Sequence, residues 1–120
     1  MDKTDLAFTP ALEQARLIRL KVISPLELTE LYLERIERLN PQLGSYFTVM
    51  GETAIADAQH KTEQLATCVP AELPPFFGVP LSVKDLNPIA GVPCSYGIAA
   101  AKNRVAEKDD GLIPRLRRAG

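Results

Sequence analysis

The stretch from Ser24 to Pro41 constrains the fold most strongly. Ser24-Pro25-Leu26-Glu27 is a capping box with proline in the first turn, so a helix must start here. Leu28, Leu31, Tyr32, Ile36 and Leu39 then recur at helical spacing and form one apolar stripe. Glu27, Glu30, Glu34, Arg35, Glu37 and Arg38 face water, and Glu34 and Arg38 have the favourable four-residue spacing. Asn40-Pro41 is expected to end the helix, because the residue before proline is pushed out of the helical region. A helix with one apolar face needs a neighbour to cover it, so the chain is expected to build a layered core.

Other elements follow on both sides. Thr9-Pro10 is expected to open an earlier helix, with threonine as N-cap and Ala11, Ala15, Ile18 and Val22 as its stripe. Ser45 to Met50 reads as a strand, since Tyr46, Phe47, Thr48 and Val49 favour a pleated backbone. Helical spacing returns from Glu52 to about Ala66, with Ile55, Ala58, Thr62 and Leu65 on one side and Asp57–Lys61 as a pair. Cys68 to Pro75 is a loop, because its prolines cannot continue a helix. Leu112, Ile113, Leu116 and Ala119 form a last helical stripe; Pro114 should kink it or confine it to the residues that follow.

Charge and cysteine usage exclude several classes. With 14 basic and 15 acidic side chains the net charge is −1, which does not suit a dedicated nucleic-acid binder. No stretch approaches the roughly 20 apolar residues of a membrane helix, and the first fifteen residues lack a signal-peptide pattern. Cys68, Cys94 and the lone His60 have no metal-ligand spacing, so no metal site is expected from them. The chain reads as cytoplasmic with reduced thiols.

Chemistry concentrates in Gly78-Val79-Pro80-Leu81-Ser82-Val83-Lys84-Asp85. Val79, Leu81 and Val83 alternate with Pro80, Ser82 and Lys84, which reads as a strand with Lys84 at its C-terminal end. Open α/β sheets place their sites at such ends. A neutral amine accepts a proton where an ammonium cannot, and burial can lower a lysine pKa by about 3–5 units. Such a lysine can serve as a general base. The plain alternative is a solvated lysine that closes the strand and pairs with Asp85.

Three ordered blocks give the chain a family resemblance: Gly78 to Leu86, then Ala90-Gly91-Val92-Pro93-Cys94-Ser95-Tyr96-Gly97, then Asp109 through Arg115-Leu116-Arg117-Arg118-Ala119-Gly120. Together they resemble the amidase-signature family. The resemblance implies an α/β fold, here an N-terminal helical layer plus the first strands of a mixed sheet, truncated. It implies that residues 1–120 are the N-terminal fragment of one amidase domain. Residues 1–67 would be mainly helical, and 76–120 would be the signature segment.

The resemblance also implies carboxamide hydrolysis through a Ser–Ser–Lys triad, with Lys84 as the lysine, a small-molecule amide as substrate and neither metal nor organic cofactor. The two serines lie in a Gly/Ser-rich segment that this chain lacks, so residues 1–120 alone are expected to be inactive. Ser82 and Ser95 have no Gly/Ser-rich context and are expected to be ordinary strand and turn serines. Two other readings stay open: the A subunit of a glutamine-dependent tRNA amidotransferase, and a non-catalytic remnant that folds against another chain.

Overall fold

A computed structural model describes residues 2–120. Its contacts divide the chain into two units, residues 2–80 with Gly120, and residues 81–119. The division falls inside the signature motif, just after Pro80.

The first unit is helical. It contains α1 (Lys3–Ala7), α2 (Ala11–Arg19), α3 (Pro25–Leu43) and α4 (Gly51–Thr67), followed by a 3-10 turn at Pro70–Glu72. The capping box forms as expected: the Ser24 hydroxyl accepts from the Glu27 backbone N–H at 3.1 Å, and the Ser24 N–H donates to the Glu27 carboxylate at 2.8 Å. Two of the orphan donors of the helix start are thereby satisfied.

The apolar stripes supply most of the core, but Val22, past the end of α2, is 68% exposed. Ile18, Leu28, Leu31, Leu65, Leu73 and Phe77 are buried together with Leu6 and Leu17. Ile18 and Leu28 are 0% exposed; burying each such side chain contributes about 1.5–3 kcal/mol. Polar groups inside this core are paired. Gln14 Nε2 donates to the Leu6 carbonyl at 3.0 Å and to the Tyr32 hydroxyl at 2.6 Å, and Tyr32 donates to the Ala7 carbonyl. Thr62 joins α4 to α3 by accepting from the Leu26 N–H at 3.1 Å.

Several helix boundaries differ from expectation. Helix α3 runs past Pro41 and ends at Leu43. A proline in the last turn costs one helical bond, and left-handed Gly44 (φ 59°) then closes the end through its N–H to the Asn40 carbonyl at 2.8 Å. Asn40 also brackets Tyr46, accepting its N–H and donating to its carbonyl. Pro10, not Thr9, occupies the N-cap of α2, and the Thr9 hydroxyl donates back to the Asp5 carbonyl. Glu34 pairs with Lys3 at 3.1 Å rather than with Arg38, whereas the Asp57–Lys61 pair forms at 4.0 Å.

The expected first strands of a mixed sheet are not formed. Residues 45–50 form no ladder and bend at Phe47, which is exposed together with Val49. Residues 79–84 likewise form no ladder. Among the described residues the only β pairing is one antiparallel bridge, Pro93 with Val105, in the second unit. A strand exists only when a second segment accepts its backbone groups, and neither stretch has that partner here.

The second unit is mostly loop and ends in α5 (Leu112–Ala119). Pro114 neither kinks α5 nor delays its start. It sits in the first turn, where the missing N–H would have had no helical acceptor.

Candidate active-site segment

Lys84 lies at the end of residues 81–84, which have no regular secondary structure, and is exposed. Its ammonium makes no hydrogen bond or ion pair with any described residue. The alternation read from the sequence shows partly in the burial: Ser82 and Lys84 are exposed and Val79 and Val83 half-buried, but Leu81 on the apolar side is also 57% exposed. The expected desolvation of Lys84 is not provided by these residues.

The chain changes direction directly after the lysine, and Asp85 makes the turn. Its carbonyl accepts from two groups of the turn 94–97, the Tyr96 N–H at 3.1 Å and the Cys94 thiol at 3.6 Å. Its carboxylate accepts from the Ser95 N–H at 2.8 Å, from the Ser95 hydroxyl and from the Gly97 N–H at 3.4 Å. The Ser95 hydroxyl, then the Ser95 N–H, then the Gly97 N–H hold the Asp85 carboxyl below its ordinary value of 3.8. Asp85 therefore spends its acceptors on this turn and forms no ion pair with Lys84.

The turn it holds is strained. Tyr96 has φ 53°, in the left-handed region, and Gly97 follows at φ 76°. A bulky residue in that region costs on the order of 1–2 kcal/mol and persists only where its surroundings dictate it. Cys94 and Ser95 beside it are buried, while the Tyr96 ring is 49% exposed.

Two more aspartates organise the rest of this unit. Asp109 accepts from the Ala90 N–H at 2.8 Å and from Arg117 at 2.6 Å; the Ala90 bond, then Arg117, lower its carboxyl. Asp110 caps α5 by accepting from the Leu112 N–H at 2.8 Å. Backbone bonds tie the two arms between them: Gly91 N–H to Ala106 carbonyl at 2.8 Å, Cys94 N–H to Arg104 carbonyl at 2.9 Å, and Ala106 N–H to Val92 carbonyl at 3.0 Å.

From the residues alone Lys84 is the candidate and Asp85 only its possible ion-pair partner. The signal that could have revealed the bracing was Ser95-Tyr96-Gly97, a turn rich in donors without an assigned acceptor. His60 is exposed on α4. Among the described residues no group of acidic, histidine and cysteine side chains could hold a metal ion, and no helix is long and apolar enough to cross a membrane.

Comparison with known proteins defines the class. The family model described as Amidase matches residues 27–120, and this chain belongs to the amidase family. It is 47% identical over 118 residues to a Synechocystis protein named "Putative amidase", covering 98% of this chain and 23% of that protein. It is 39% identical over 120 residues to AmiB2 of Mycobacterium tuberculosis, covering 100% of this chain and 25% of AmiB2. The A subunit of the glutamyl-tRNA(Gln) amidotransferase of Methylobacillus flagellatus is 35% identical over 106 residues, covering 88% of this chain and 21% of that relative. The chain thus spans about a quarter of the length of the curated relatives it matches.

Proposed function

We propose that this chain supplies the proton acceptor of an amide hydrolase, with Lys84 in that role. The observation that carries the proposal is the family match over 27–120, which contains Lys84, while the adjacent Asp85 carboxylate is engaged elsewhere. An ion pair would hold a lysine charged, and a charged lysine cannot accept a proton. The two serines that complete the reaction would come from residues beyond 120. One serine attacks the amide carbonyl carbon and gives up its proton, by way of the second serine, to the Lys84 amine. The C–N bond then breaks, the amine leaves carrying a proton, and water releases the acid from the acyl-enzyme.

The test is hydrolysis of simple carboxamides by a protein that carries these residues followed by the serine-bearing segment. Lys84→Ala is expected to lower kcat by about 10²–10⁴-fold while leaving the fold intact, since the side chain is exposed and unpaired. Undiminished turnover in Lys84→Ala removes the lysine from the mechanism.

A second reading is supported by the Methylobacillus relative: the A subunit of a glutamine-dependent tRNA amidotransferase, which would release ammonia from glutamine. Copurification with two further subunits and tRNA distinguishes it from a free-standing amidase.

A further inference from the structure

We infer that Asp85 is a positioning residue for Lys84, fastening the backbone that carries the lysine to the turn 94–97. The inference deepens the reading of Lys84 as proton acceptor and rests on it.

Lys84 is held only weakly by its own groups. On its N-terminal side, the backbone N–H groups of residues 81–84 have no partner among the described residues. Its own carbonyl accepts only the Asn87 N–H at 2.9 Å, a local turn bond. The lysine is therefore anchored to no distant segment through its own groups. Every hydrogen bond from residues 84–85 to a segment remote in sequence passes through Asp85, to Cys94, Ser95, Tyr96 and Gly97.

Asp suits this work and its close analogues do not. An ionised carboxylate only accepts, and everything it faces here is a donor. Asparagine keeps one oxygen and replaces the other with an N–H₂, so it would set a donor against either the Ser95 N–H or the Gly97 N–H, which bond to different oxygens. Glutamate would carry the carboxylate one methylene too far from residue 84. The strained Tyr96 is the second, independent sign. Its N–H is bonded to the Asp85 carbonyl while φ stays at 53°, so the turn is held in shape against its own preference.

Backbone ¹⁵N relaxation on the 120-residue chain tests this. Rigid backbone has an order parameter of about 0.85, and flexible backbone falls below about 0.6. In the wild-type chain, Lys84 and residues 95–97 are expected near the rigid value. In Asp85→Asn both are expected to drop below the flexible limit, with α2 to α4 unchanged. Ser95→Ala, which deletes one donor and keeps the carboxylate, is expected to give an intermediate loss and covers the case in which Asp85→Asn unfolds residues 81–119. A Lys84 order parameter that stays at its wild-type value in either folded variant overturns the inference.

Activity supplies the second readout. In the serine-bearing protein, Asp85→Asn is expected to lower kcat about 100-fold with KM unchanged, the effect of misplacing a reacting group by roughly 1 Å. Wild-type kcat in that variant also overturns the inference. Failure of the underlying reading looks different: Lys84→Ala would then turn over normally, whatever Asp85 does.

Discussion

Replacing Gly78 with alanine tests the packing beneath the signature motif. Gly78 has φ 77°, and an added Cβ would lie 2.6 Å from Pro25 Cγ, 3.0 Å from Pro25 Cβ and 3.4 Å from Ile18 Cδ1. Pro25 and Ile18 are among the most fully buried side chains, so neither can move aside freely. The left-handed backbone costs an alanine about 1–2 kcal/mol, and overpacking a filled core adds about 1–3 kcal/mol. Together these come to about 2–5 kcal/mol. With a urea slope of about 1.5 kcal/mol/M, the unfolding midpoint should fall by roughly 1.3–3.3 M. Gly44→Ala is the control: its φ is 59°, but nothing lies within 4 Å of the added Cβ. It should lose only the backbone part, about 1–2 kcal/mol. Urea unfolding followed by circular dichroism measures both. Equal midpoints for the two variants would refute the reasoning, because close approach to Pro25 would then contribute nothing.

Two further outcomes follow from the hydrogen bonds. Ser24→Ala removes the capping box of α3 and should cost about 1 kcal/mol, read as a drop of roughly 4 °C in Tm. Acid should destabilise the chain through carboxyls whose folded pKa is lowered: Asp85 and Asp109 from 3.8, and Glu27 from 4.5 through the Ser24 N–H and then its hydroxyl. A lowered folded pKa contributes stability above the unfolded value, and that contribution is lost as pH falls through the folded value. The unfolding midpoint should therefore be level above about pH 5 and fall below about pH 4, with a shallower fall in Asp85→Asn. A midpoint as high at about pH 3 as at about pH 6 would contradict this.

Local order along the chain was written in short-range patterns. The Ser24-Glu27 box, the Leu28–Leu31 stripe and the Ala58–Leu65 face each depend on residues three or four apart, and each appears in the structure where the spacing put it. Lys84 could be singled out for the same reason, from an alternating run and the blocks around it. What the residues could not declare was who pairs with whom across long separations. Gln14 and Tyr32 meet at the core, Asp85 bonds to Ser95 rather than to Lys84 beside it, and the stretches at 45–50 and 79–84 remain without ladder partners. Helical bonds close within one turn, so sequence spacing suffices to specify them. A sheet ladder or a carboxylate brace joins segments distant along the chain, and only the folded packing selects which donors and acceptors come within reach.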